Sequence, residues 1–309
     1  MATGLETPSA EHGPSAVGDA GAGGPDRPTA PRHRTVIEPP HGWPLVNARE
    51  LWRYRELLFF LAWRDVKVRY KQTALGAAWA ILQPAMMMAV FTVFFGRLAG
   101  VSTDGIPQPL FFLTGVLPWF FFSTAVTNAA NSVVGSERLI TKIYFPRLAV
   151  PFATVAAAAV DFLVACTLLV VVAAGYALAG HPIDLGWRVV LVPLAAALIG
   201  LTATGLGTLL AALNVAYRDF RYVVPFFIQL GMFATPTIYM RPTGEEGRLF
   251  QVLMAANPMA SLVETFRVGL LGGSVPWAGL GTAAVIAAGV FAVGGLYFRK
   301  VEDKFADII

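Results

Sequence analysis

Formally charged side chains disappear from this chain for long intervals. None occurs over 72–96, 105–136 or 189–217, and each interval exceeds the roughly 20 helical residues that cross a hydrocarbon core of about 30 Å. The pattern predicts six transmembrane helices, at about 75–98, 110–134, 149–179, 189–216, 222–240 and 277–298. Between the last two, 249–263 gives only 15 uncharged residues, interrupted by Asn257 and Pro258, a capping residue followed by a first-turn proline. Two short helices, 246–256 and 258–271, are therefore expected to dip into the outer face of the membrane and return, a course open to backbone only where protein or water satisfies the helix ends.

The chain ahead of the spans divides in two. Residues 1–46 are rich in Gly, Ala and Pro, follow neither a helical nor a strand period, and lack the basic and apolar regions of a signal peptide, so a disordered cytoplasmic tail is expected. Asn47 can then cap a helix over 47–73. Its seven consecutive apolar residues, Leu57 to Trp63, are too few to span and are flanked by charge. With Trp52, Tyr54, Phe59, Phe60, Trp63 and Tyr70 among many cations, the segment reads as an amphipathic helix lying in the headgroup plane. Arg64, Lys67 and Lys71 recur at i, i+3 and i+7, a basic stripe open to anionic lipid phosphate or diphosphate.

Composition narrows the class. At 56% hydrophobic and 14% charged residues, with a mean hydropathy of +0.62, the chain is no soluble globular domain; the expected fold is an all-α integral membrane protein with 74–309 as its six-span domain. Lys and Arg number 18 on the side holding both termini and five on the other, which places both termini in the cytoplasm. Cys166 sits in an apolar run and reads as a small buried hydrophobe. The four histidines form no metal-binding spacing, no phosphate-cradling GxxxxGK[ST] loop is present, and no clustered acid, base and nucleophile suggests a membrane transferase. Asp161 is the one acidic residue inside a long apolar run, and it reads equally as a structural hydrogen-bonding group or as an ion-coupling site. A secondary carrier would need more than this, so the driving force is expected from a partner protein.

The segment after the second predicted span fits such a partner. Ser136 can cap it and Pro146 stops it, leaving two to three turns in which Leu139, Ile140, Ile143 and Tyr144 accompany Glu137, Arg138 and Lys142. A loop that only reverses the chain has no need of so many large apolar residues. The expectation is a short helix that plugs into a groove of a soluble protein. The turn carrying Tyr217, Arg218, Asp219 and Phe220 has the same mixture on a smaller scale.

These residues resemble a known family. Trp63, Arg64, Asp65, Lys67, Arg69 and Tyr70, followed by Leu75, Gly76, Trp79, Leu82 and Pro84, look like the opening stretch of permease subunits of ABC exporters for O-antigen, teichoic acid and related surface polysaccharides. Glu137, Lys142 and Pro146, then Asn214 with Tyr217, Arg218 and Asp219, Pro236 with Tyr239, and Asn257 with Pro258 continue the likeness in the same order. The long tail is a departure from the family core.

The resemblance implies a homodimer in the cytoplasmic (inner) membrane, paired with a separate ABC ATP-binding subunit that holds ATP and Mg; no cofactor is expected in this chain, and nucleic acid is not an expected partner. It implies that Glu137 to Tyr144, with Arg218 and Asp219, couple to the ATPase, and that the 47–71 helix forms a gate. There Arg64, Lys67, Arg69 and Lys71 would meet the diphosphate of a lipid-linked polysaccharide within the membrane lipids. The two short outer helices would line the exit. Flat aromatic side chains suit a glycan path, and the expected set is Phe91, Phe94 and Phe95 in span one, Trp119 in span two, and Phe226, Phe233 and Tyr239 in span five. The alternative is an ABC permease exporting a drug or a small lipid-like molecule.

Overall fold

The computed structural model describes residues 52–71, 78–103, 105–142, 145–181, 186–217, 219–240 and 248–305. The predicted tail, Asn47, Ile143, Tyr144 and Arg218 lie outside the described residues. The elements are α1 (Arg55–Lys71), α2 (Ala78–Phe91), α3 (Gln108–Gly135), α4 (Glu137–Lys142), α5 (Ala149–Leu178), α6 (Leu191–Ala216), α7 (Phe220–Phe233), α8 (Arg248–Ala256), α9 (Pro258–Leu271) and α10 (Trp277–Val301). A π-helical turn, Thr92–Leu98, extends α2, and a 3-10 turn, Trp187–Val190, leads into α6.

Five helical stretches are long and apolar enough to cross a membrane: Ala78–Leu98, Gln108–Gly135, Ala149–Leu178, Trp187–Ala216 and Trp277–Val301. The fifth predicted span, 222–240, takes a different form. Its helix is the 14-residue α7, a rise of about 21 Å, and the chain then folds into a turn over 234–237. The reason lies in α9. Asn257 Nδ2 donates to the Ala234 carbonyl at 3.2 Å and to Thr235 Oγ1 at 3.0 Å, and Arg267 Nη2 donates to the carbonyls of Pro236 and Thr237, both at 3.2 Å. Backbone acceptors that would have continued α7 are thus satisfied from outside it.

The two short helices form where the pattern put them. Asn257 caps α9, its Oδ1 accepting from the Met259 amide at 3.0 Å with Pro258 at the first helical position. One residue counted from sequence as an outer-face cation changes role: Arg267 is 6% exposed, stacked 4.0 Å over the Phe111 ring, and so belongs to the interior rather than to the outer surface. The charge asymmetry keeps its direction without it.

α3 and α6 form the centre. α3 packs against α2, α5, α6 and α9, and α6 also packs against α10. Leu110, Phe111, Phe112 and Leu113 are at most 1% exposed. Small residues set the spacing: a Cβ on Gly207 of α6 would stand 2.5 Å from the Cβ of Ala129 on α3, and one on Gly205 would stand 2.5 Å from the Phe291 backbone of α10. Close backbone approach is how helices gain dispersion contact where lipid removes the hydrophobic incentive.

Candidate gate, cavity and coupling helix

α1 packs along α5. Leu61 is buried in a cluster that includes Ala149, Val150 and Ala153 at the start of α5. Two turns further along α1, Arg69 is ion-paired with Asp161, about three turns into α5, and the Tyr70 hydroxyl donates to the same carboxylate. α1 therefore follows α5 for about 12 Å. Burial pushes the Tyr70 phenol above its ordinary pKa, with the Arg69 charge acting the other way, so the phenol stays a proton donor to Asp161.

The outward side of α1 carries Phe59, Phe60 and Trp63 together with Arg64, Lys67 and Lys71, all exposed. Arg64 meets Asp65 at 2.9 Å on that surface. Of the four cations assigned to the gate, Arg69 is ion-paired with Asp161 of α5 while staying partly exposed. Asp161, in turn, is no solitary intramembrane acid.

The ion pair borders a cavity of about 610 Å³ between α1, α2, α3 and α5. Its polar lining is Arg69, Tyr70, Gln83, Thr124, Asn128 and Asp161, and its apolar lining includes Phe121 and Phe162, stacked at 5.0 Å.

α4 turns part of its apolar side into the bundle. It is described over six residues, under two turns, and Ile140 points inward at 5% exposure, packed in the cluster that unites Leu61, Val133, Phe145, Val215 and Phe298. Leu139 is half-buried against the same cluster. Glu137, Arg138, Thr141 and Lys142 are exposed, so the face turned outward here is polar. The physical cause is the bundle end itself, where α1, α3, α5, α6 and α10 converge and an apolar plug is needed. Asp219 is exposed at the start of α7, its carbonyl accepting from Tyr222 and Val223 amides at 3.0 and 3.2 Å. Nearby, Asn214 is 2% exposed and donates to the Ala130 carbonyl at 3.0 Å and to Asn131 Oδ1 at 3.1 Å, tying α6 to α3.

The aromatic set divides. Phe94, Phe226 and Phe233 are 56%, 59% and 55% exposed and face outward from this chain. Phe91 is buried between Phe95 and Phe112, at ring distances of 5.5 and 6.2 Å, and Phe95 is half-buried. Trp119 is buried against Phe122 and against Gly231 of α7, where a Cβ would come within 2.9 Å of the indole. Tyr239 is half-buried, its hydroxyl donating to the Phe233 carbonyl at 3.3 Å. Phe91 and Trp119 therefore pack within this chain.

Comparison with known proteins assigns this architecture. Residues 56–271 match the ABC-2 type transporter family. The chain belongs to that family. Its relatives include the O-antigen export system permease protein RfbA of Myxococcus xanthus, 34% identical over 84% of this chain and 98% of the relative. RfbA of Klebsiella pneumoniae is 28% identical over 82% and 95%. The polysialic acid transport protein KpsM of Escherichia coli is 22% identical over 69% and 80%. As an ABC-2 permease, the chain is a multi-pass membrane protein and a transport subunit, with the membrane-crossing helices described above.

Within this ABC-2 chain, sequence reasoning missed the Arg69–Asp161 contact and the inward turn of Arg267. A cation and an acid 92 positions apart carry no local signal of pairing. For Arg267 the usable hint was its place between Phe266 and Val268 in a helix whose other charged residue is Glu264.

Proposed function

We propose that this chain is the transmembrane subunit of an ATP-driven exporter that moves a lipid-linked cell-envelope polysaccharide across the cytoplasmic membrane. The observation that carries the reading is the likeness to O-antigen export permeases, which extends over 98% of the length of the Myxococcus xanthus protein. The chain acts as a homodimer beside a separate ATP-binding subunit, where ATP and Mg reside. α7, with the turn and the residues up to Met240, makes the sixth crossing, so that both termini are cytoplasmic and α8 and α9 form a pair on the outer face.

In this mechanism the exposed stripe of Arg64, Lys67 and Lys71 attracts the diphosphate of the lipid carrier at the inner leaflet. Glu137, Arg138 and Lys142, with Asp219 and Arg218, contact the ATPase, and Ile140 transmits its movement because it is embedded in the junction of five long helices. Phe94, Phe226 and Phe233 supply flat, weakly discriminating surface for sugars. Deleting the gene in its host tests the reading. Loss of surface polysaccharide with lipid-linked glycan accumulating inside supports it; intact polysaccharide with altered sensitivity to small toxic compounds would replace it with a drug-exporter reading.

A further inference from the structure

The cavity beside Asp161 is not explained by a diphosphate gate. Its lining changes character along its length. On α3 the lining residues Leu117, Phe120, Phe121, Thr124 and Asn128 share one face over about 16 Å, apolar at one end and polar at the end toward α4. α5 contributes Ala158, then Asp161 beside Phe162, and Ala165 farther from α4. Gln83 is exposed and Thr124 and Asn128 are half-buried, so their side-chain donors and acceptors are open to a molecule in the cavity.

Charge narrows the occupant. The cavity holds one cation and one anion, Arg69 and Asp161, joined to each other but still 36% and 19% exposed. Arg64, Lys67 and Lys71 do not line it. A site with no net charge repels neither sign and rewards a molecule carrying both. We propose that this cavity holds one zwitterionic glycerophospholipid. Its phosphate lies toward Arg69 and the amides of Gln83 and Asn128, its ammonium group toward Asp161, and one acyl chain against Phe121, Phe162 and Leu117. The volume, about 610 Å³, is too small for the whole diacyl molecule, so only the headgroup and part of one acyl chain enter and the second chain stays in the surrounding bilayer. Such a lipid would fill the space between α2 and the rest of the bundle and hold α1 at its mouth.

The test is native mass spectrometry of the purified full-length chain, titrated with phosphatidylethanolamine and separately with phosphatidylglycerol. The expected result is one phosphatidylethanolamine retained per chain, with phosphatidylglycerol at least about tenfold weaker. Ala80→Phe, which fills the cavity from α2, and Asn128→Leu should each lower phosphatidylethanolamine retention at least about tenfold. Thr124→Val, nearly isosteric, provides a variant that keeps the fold if either of those unfolds, and should weaken retention in the same direction. Equal retention of both lipids, or undiminished retention in Ala80→Phe, would overturn the proposal. No export is measured, so this inference stands or falls separately from the polysaccharide reading.

Discussion

Arg69, in the last turn of α1, is ion-paired with Asp161 of α5, and Tyr70 donates to the same carboxylate. One acid in the middle of an apolar helix thereby fixes the helix that precedes all the spans. Both partners retain solvent contact, so the pair is worth less than a buried one, about 1–2 kcal/mol. Arg69→Gln and Asp161→Asn should each lower the unfolding midpoint in detergent, and the double variant should cost clearly less than the two singles added. Strict additivity would mean that the two residues do not act on each other.

Asn257 serves two segments at once, capping α9 through Oδ1 and holding 234–235 through Nδ2. Asn257→Ala should cost about 1–3 kcal/mol, read as a loss of thermal stability and faster amide exchange at Met259 and Ala260. Asn257→Asp keeps the cap and loses the donors, so it should fall between. An aspartate variant as unstable as alanine would assign the whole effect to the turn contacts.

Arg267 lies under the turn after α7, giving two bonds to its carbonyls and one face to Phe111. Arg267→Met should destabilise by about 2–4 kcal/mol, because two buried carbonyls lose their donor. Lysine should rescue little, lacking the planar fork. Gly115→Ala should act on the same contact from α3, since a Cβ there would meet the Thr237 carbonyl and come within 2.9 Å of Arg267 Nη2. If alanine at 115 is tolerated with unchanged stability, this packing is looser than described.

What the sequence disclosed was whatever depends on local pattern. Long apolar runs located α2, α3, α5, α6 and α10 to within a few residues, and Asn257–Pro258 located the start of α9. Hidden from it was everything decided between distant segments. α7 ends early because α9 takes its backbone acceptors, and Ile140 and Leu139, two of the apolar residues that suggested a projecting knob at α4, pack inward because five helix ends meet there. Phe91 and Phe94 illustrate the limit at the candidate path: three positions apart in one apolar run, one is buried and the other exposed. Periodicity alone gives no information about which side faces a neighbour.

The polar face of α4 makes a prediction distinct from its apolar one. Ile140→Ala should destabilise the folded chain by about 2–4 kcal/mol, as truncation of a buried aliphatic side chain does. Replacing Glu137, Arg138 and Lys142 with Ala, Gln and Gln should leave the unfolding midpoint near that of the parent and abolish co-purification with, or stimulation of, the ATP-binding subunit. Retained coupling in the triple variant would move the docking surface elsewhere.

The account rests on a division of labour between a membrane passage in this chain and an engine in another. Reconstituting the chain in proteoliposomes, with and without the ATP-binding subunit, and following movement of a lipid-linked glycan across the bilayer tests that division most directly. The account predicts movement only when both subunits and ATP are present, with no response to an imposed proton or sodium gradient. Glycan movement by this chain alone, or movement that follows the ion gradient without ATP, would contradict it.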